Sequence, residues 1–532
     1  MDFSASTVNP VTNTPGAFLF EGSGTGHCNC QFANNYPFAF GPRVGAAYSL
    51  DDKTVIRVGW GVIYGPTSVN ALGVNAAGIV NDNQVGSPGL GTPAMTLAGG
   101  IPTNTIPGWP TFNPGVAPIS PIGNQPLPTG VVLLDQNAGR PPRQNQWSIG
   151  IQREITRNMA VEASYVGNRG VWWQAPSLED INAITPSILA AHNMNLSNPA
   201  IPTLLSTPLG SVSAATKAEY GLGIPYASFS PNNTVAQSLR PFPQFANIPV
   251  SGDPLGKTWY DSLQTKLTIR PTHGLVLQST FSWQKSLDVG VDNAPAGAGP
   301  TVPNGTGTPT SYVNNTYLAA QQSKAISEFD QPFLFVVAGS YTLPKIEQLK
   351  KASWVMKDWQ IGTLLSYSSG LPIPAPASTT SIASQLFQGA LDNRVPGVPL
   401  YTVPSLNCHC FDPSTTAVLN PAAWQAPAPG QFGDAAPFYS DYRYARHPNE
   451  NINLGRTWRI KERMSLNLRV EFSNIFNRTY LNNPTSSNPT TPVTHNGQGL
   501  LTGGFGYIST VFSSTTQLAQ PRNGTIVARF TF

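Results

Sequence analysis

Four cysteines stand in two C-x-C pairs, Cys28/Cys30 and Cys408/Cys410, with His27 and His409 beside or between them. Thiolates and imidazoles are soft donors, and such a set could hold a zinc ion. The same thiols could form disulfides in an oxidising compartment. A bridge inside one C-x-C is tight, so cross-loop bridges between the pairs are the expected connectivity. Glu21-Gly-Ser-Gly-Thr-Gly26 has the composition of a phosphate cradle. No strand pattern precedes it and no helix pattern follows, so it reads as a flexible loop. The six histidines are scattered, with no H-E-x-x-H, and no nucleophile elbow is visible. Trp424, Tyr439, Tyr442 and Tyr444 crowd one segment, where they could stack on a sugar or flat chelate, or equally on one another. These residues assemble no active site. The expectation is a chain that is not an enzyme and binds no cofactor or metal.

The elements that must position such residues show in the composition. Of 532 residues 40% are hydrophobic, yet no run approaches the ~18 apolar residues of a transmembrane helix. Charged residues are only 11%, against roughly 25% in soluble proteins. The 49 glycines and 51 prolines break helices, while 11 Trp, 17 Tyr and 24 Phe argue against disorder. A net charge of +4 is too small and dispersed for nucleic acid, which is not an expected partner. Alternating strands with one face in lipid account for all of this.

The alternation is explicit. In the last nine residues Ile526, Ala528, Phe530 and Phe532 share one face, and Thr525, Val527, Arg529 and Thr531 the other. Strand pairs joined by short polar turns recur at about 38–50 with 54–64, at about 146–152 with 161–165, and at about 263–270 with 275–284. Two more pairs run from Phe333 to Tyr341 with Trp359 to Tyr367, and from Asn451 to Trp458 with Leu466 to Phe472. With the C-terminal strand these make eleven, each about the length that crosses a bilayer at a tilt.

Short turns on one side and long loops on the other match the periplasmic and extracellular ends of an outer-membrane barrel. The segments near 65–142, 173–258, 287–328 and 370–450 are then expected outside the cell, with the cysteine pairs among the outer loops. Aromatics fall into two girdles: Trp60, Tyr64, Trp147, Trp283, Phe333 and Tyr367 at the outer rim, and Tyr341, Trp359, Trp458 and Phe532 at the inner. Arg57, Lys266, Arg270, Arg469 and Arg529 face the lumen, as a ligand path or as ordinary polar lining. A soluble β-sandwich also alternates but needs no loops of such length.

Several segments resemble the barrel of Oar-like TonB-dependent outer-membrane receptors. They include Phe40-Gly-Pro-Arg-Val-Gly-Ala-Ala-Tyr48, Gln146-Trp-Ser-Ile-Gly-Ile-Gln-Arg153, Ala163-Ser-Tyr-Val-Gly-Asn-Arg-Gly170 and Tyr260-Asp-Ser-Leu-Gln264. Asn453-Leu-Gly-Arg456 with Glu471-Phe-Ser-Asn-Ile-Phe-Asn477 is the strongest match. The resemblance implies a barrel of roughly twenty-two strands, preceded by a signal peptide, a carboxypeptidase-regulatory-like domain and a plug that couples to TonB. The segment after Met1 has neither a basic start nor an apolar run.

The expected architecture is therefore all-β: an incomplete transmembrane antiparallel barrel of about eleven strands, half of a receptor barrel, with long extracellular loops. Residues 1–37 belong to an extracellular loop, and 38–532 to the C-terminal portion of the barrel. Expected partners are outer-membrane lipid, the barrel-assembly machinery through the C-terminal strand, an extracellular ligand, and TonB only through the N-terminal part. The expected function is uptake of a bulky scarce nutrient, of siderophore, oligosaccharide or peptide class, or a cell-surface role. A passive porin or surface adhesin is the first alternative, and a secreted carbohydrate-binding sandwich the second.

Overall fold

The computed structural model describes residues 8–9, 12–16, 18–19, 33–65, 92–93, 96, 98–99, 116–117, 133–173, 180–246, 248, 250–251, 254–289, 324–344, 358–378, 391–428, 433–461, 464–509 and 521–532. Eleven long strands follow one another: β1 (Arg43–Asp51), β2 (Thr54–Tyr64), β3 (Arg143–Thr156), β4 (Met159–Trp173), β5 (Gly256–Thr272) and β6 (Leu275–Val289). The series continues with β7 (Phe333–Thr342), β8 (Trp359–Ser368), β9 (Asn449–Lys461), β10 (Met464–Ser473) and β11 (Asn523–Thr531). Each pairs antiparallel with the next, and a two-residue strand, Ala325–Ile326, pairs off this path with the end of β6. β1 and β11 end the path without pairing to each other, so the wall is open.

The strands stand where the alternation puts them. β1 starts at Arg43 and not near Phe38, because Pro42 has no N–H for the ladder; its carbonyl still accepts from Val62 at 2.9 Å. The registers set apolar opposite apolar: Trp60 faces Trp147, Val58 faces Ile149, Leu263 faces Trp283, and Leu466 faces Phe530. One face is thereby largely apolar, and it leaves large side chains uncovered: Trp283 is 64% exposed and Ile526 73%. Uncovered apolar surface costs about 25 cal/mol per Å² in water and nothing in lipid. A sandwich would cover this face, so that alternative fails here. The other face pairs Gln152 with Glu162, Glu162 with Lys266, and Asn467 with Arg529. Gly167 is needed on the apolar face, because a Cβ there would lie 2.6 Å from the Trp147 indole.

Most connections at one end are tight. Asp51 accepts from the Lys53 amide at 2.8 Å and from the Thr54 hydroxyl at 3.1 Å, an Asx turn. His273 and Gly274 turn β5 into β6 at φ 47° and 82°. The β7–β8 connection, residues 343–358, is longer than the expected short turn.

At the other end three connections fold into two packed units instead of remaining loops. Residues 180–248 carry four short helices: α1 (Pro186–Ala191), α2 (Ala200–Ser206), α3 (Ala214–Glu219) and α4 (Val235–Ser238). Thr185, Ser213 and Thr234 cap α1, α3 and α4 by accepting from amides three residues on. Ile184, Leu205, Leu209, Phe229 and Val235 form their core. The buried Asn182 amide fastens the unit, donating to the carbonyls of Phe242, Phe245 and Ala246 and accepting from the Phe242 amide. Gln244 donates to the Pro15 carbonyl at 2.7 Å, tying the N-terminal segment to this unit.

The second unit draws on two separate connections. Ile373, Leu419 and Tyr442 from the β8–β9 segment share a core with Phe505 and Ile508 from the β10–β11 segment.

An arginine at Leu267, on the apolar face, should destabilise the folded sheet by ~2–4 kcal/mol, whereas one at Gln264, on the polar face, should be tolerated. Urea unfolding in lipid vesicles measures both. Equal losses at the two positions would show a sheet packed on both faces.

Candidate functional site

The second outer unit sits on the wall through two buried carboxylates. Asp330, next to β7, accepts from Arg443 Nη2 at 2.5 Å and from the Ser286 amide at 2.7 Å. Arg443 also donates to the Asp330 and Gly370 carbonyls, and its backbone N–H and C=O both bond the Tyr401 hydroxyl. Glu450, at the start of β9 and fully buried, accepts from Arg478 Nε at 2.6 Å and Nη2 at 2.8 Å, and from the Tyr367 hydroxyl at 3.0 Å. Ion pairs at a buried carboxylate contribute little net stability, but leaving that carboxylate without its arginine is costly. They hold the unit in one orientation. Sequence reading passed over these four charges; the available signal was isolated acids at strand ends in a chain poor in charge.

The loop aromatics lie inside this unit. Trp424 packs on Tyr442 at 5.5 Å and on Tyr439 at 6.1 Å, and Tyr401 on Tyr442 at 5.7 Å. Tyr442 is 0% exposed and Tyr444 5%, so in this arrangement both are out of a ligand's reach. Of the two sequence readings, the geometry matches self-packing. Tyr439 is only partly buried and carries the Arg394 guanidinium 4.4 Å from its ring, with Arg394 in turn paired to Asp441 at 2.6 Å. Burial pushes the Tyr401 hydroxyl up to about 12 and Tyr442 well above its ordinary value. Burial also pushes the Asp392 carboxyl up to about 6, and its Oδ1 finds no partner among the described residues. In the helical unit, burial lowers the Arg240 guanidinium from its ordinary value while the nearby Asp180 carboxylate raises it.

The cross-loop disulfide does not form at Cys408 and Cys410, which bridge each other. His409 adopts φ 51°, bringing the two Cα atoms to 5.1 Å and letting the Cys410 amide donate to the Cys408 sulfur. The turn thus supplies the geometry that spacing alone made improbable. Cys28, Cys30, His27 and the glycine run 21–26 lie outside the described residues.

On the polar face, Gln360, Asn451, Asn453, Arg469 and Glu471 line an open trough of about 480 Å³. Arg469 and Glu471 pair at 2.6 Å. The structure does not gather the five lumen-side cations: Arg469 alone lines the trough, while Arg57, on β2, donates to Gln152. The outer aromatics run along neighbouring strands, Trp60 opposite Trp147 and Trp283 opposite Phe333, with Phe335 between Phe281 and Tyr367 and Tyr64 opposite Arg143. At the other end Tyr341 faces Leu275 and Ile361, Trp359 faces Arg456, Trp458 faces Leu466, and Phe532 stacks on Phe530.

A family model described as an outer membrane beta barrel domain matches residues 2–523. No curated protein matches the chain. Among solved structures it is similar to the outer membrane transporter YddB from Escherichia coli, at 10% identity and TM-score 0.35, covering 91% of this chain and 39% of that one. It is similar to the ferric-catecholate import receptor Fiu from E. coli K12, at 10% identity and TM-score 0.34, covering 97% and 40%. The pyoverdine outer membrane receptor FpvA from Pseudomonas aeruginosa PAO1, bound to pyoverdine, gives 11% identity and TM-score 0.32, covering 92% and 36%. The chain thus spans 36–40% of the length of these three structures.

Two outcomes follow from the second unit. Asp392 has a carboxyl pKa raised in the folded state, so its contribution is fully present below the unfolded value near 3.8 and is lost as pH rises through about 6. Asp392→Asn should therefore protect the surrounding amides at pH 8 by on the order of 1–3 kcal/mol and leave them unchanged at pH 4. Hydrogen exchange corrected for intrinsic rates reads this, and equal protection in both proteins at pH 8 would refute it. Peptide mapping without reductant should recover Cys408 linked to Cys410; a peptide joining either to Cys28 or Cys30 would restore the cross-loop bridge.

Proposed function

Because the chain belongs to the outer membrane beta barrel domain family, we propose that it builds the C-terminal part of an Oar-like, TonB-dependent receptor barrel. In this reading residues 38–532 are barrel wall with its extracellular units, and residues 1–37 belong to an extracellular loop. The whole receptor takes up a bulky, scarce solute of siderophore, oligosaccharide or peptide class. One observation carries the proposal: an open meander of eleven strands, apolar on one face, whose packed units all stand at one end. A wall of this kind needs further strands, because unpaired edges cost several kcal/mol per backbone group in lipid. The motifs of its own strands that resemble the receptor barrel support this reading.

The outer units are the ligand-facing part of this proposal and the polar face is the route inward. The trough at Gln360, Asn453 and Glu471 offers amide and carboxylate groups to a solute along the wall. Binding and passage are the chemistry assigned; coupling to TonB resides in a plug and reaches the wall only through it.

Cells lacking the gene should lose accumulation of at least one of three probes: a ferric catecholate, a malto-oligosaccharide or a labelled heptapeptide. The gene should restore it, and a protonophore should abolish it. Accumulation that survives the protonophore would make the barrel a passive pore. Unchanged accumulation of all three, with loss of cell adhesion, would make it a surface adhesin.

A further inference from the structure

The apolar face does not end at the outer aromatic girdle in bare water; it passes into a belt of cations. Arg143 lies four residues beyond Trp147 on the same face of β3, and Lys285 two residues beyond Trp283 on β6. At about 3.4 Å per residue these are ~7–14 Å along the tilted strands, the depth of a headgroup layer above the hydrocarbon. Lys257, on β5, is exposed on this face, and Lys324 places its ammonium 4.0 Å from the centroid of Trp259. Asp261 is the one carboxylate on this face at this height among the described residues of β3 to β6. It is already taken by Arg169 at 2.9 Å and by the Tyr165 hydroxyl at 2.6 Å. Arg140, Arg143, Lys257, Lys285 and Lys324 form no ion pair with a described carboxylate.

The densest part of the belt is built around a strained residue. Trp172 interrupts the β4–β5 register and sits at φ 65°, which a bulky side chain rarely adopts. In that position its indole carries two guanidiniums, Arg140 at 3.4 Å and Arg143 at 4.3 Å from the ring centroid, with Tyr36 edge-on at 6.2 Å. Both arginines leave a buried Nε–H without an acceptor among the described residues. Two like charges on one ring fit an anion with several acceptor oxygens.

We propose that this belt, on the outward face of β3 to β6, binds the phosphate groups of the outer-leaflet glycolipid. A membrane lipid is favoured over a free anion because the cations continue the lipid-facing side of the wall and not its polar side. The proposal rests on residence in the outer membrane and is independent of any transported solute.

The protein purified from outer membranes in detergent can be titrated with bisphosphorylated lipid A and with its dephosphorylated form, following tryptophan fluorescence. The phosphorylated lipid should bind more tightly, and joint Arg140→Gln, Arg143→Gln, Lys257→Gln and Lys285→Gln should weaken it about a hundredfold. Lys257→Gln with Lys285→Gln alone, both exposed, should weaken it about tenfold. Lys266→Gln, on the opposite face, should leave it unchanged. Equal binding by the two-lysine variant and the parent, or of the two lipids, would overturn the proposal. So would displacement of the lipid by millimolar inorganic phosphate, which would make the belt a free-anion site.

Discussion

Everything in the wall follows from the need to satisfy backbone N–H and C=O groups where no water can reach them. Every neighbouring pair of strands in the meander is antiparallel. The ladder's five register shifts lie at Ser49/Asp51, Glu154/Thr156, Val171/Trp173, Leu275/Leu277 and Arg459/Lys461. All five are at strand ends, where water or a turn can satisfy the displaced groups. The middle of the sheet tolerates none. Four of them accompany tight turns, and the fifth aims Trp172 at the arginines on the outer rim.

The same constraint explains where the cores are. A one-layer wall has no interior of its own: one side meets lipid and the other a polar lumen. Fully buried large side chains such as Tyr442, Phe245, Phe505 and Leu205 therefore collect in the two outer units. Each unit must be tethered to a wall that offers it little apolar surface. Asp330 and Glu450 meet that need by burying a carboxylate at the rim and receiving an arginine from above. Their partners come from different connections, Arg443 before β9 and Arg478 after β10, so the unit is fixed at two points.

The wall was legible in the sequence because its rule is local. Period-two alternation of apolar and polar residues assigns each strand and its faces without knowledge of its neighbours, and all eleven strands stand where that pattern runs. The outer units were not legible for the opposite reason. Thr185-Pro186, Ser213 and Thr234 are helix-start signals, but they open helices of four to six residues in a proline-rich stretch. No amphipathic period has room to appear. The second unit joins segments separated by β9 and β10, so its core has no contiguous signature. The Cys408–Cys410 bridge depends on the backbone conformation of His409, which spacing does not encode.

Wall and outer units consequently answer to different rules under substitution. A lipid-facing position such as Leu267 asks only for an apolar side chain, and a lumen position such as Gln264 for a polar one. Positions such as Asn182, Arg443 or Gly506 have no equivalent latitude. Asn182 engages four backbone groups at once, and Arg443 joins the wall, the Gly370 carbonyl and Tyr401. A Cβ at Gly506 would stand 2.6 Å from the Leu419 amide nitrogen. Within the outer units, substitutions are therefore accommodated at the exposed rims, around residues like Tyr439 and Arg394. Their buried framework and the ladder beneath them are fixed by geometry.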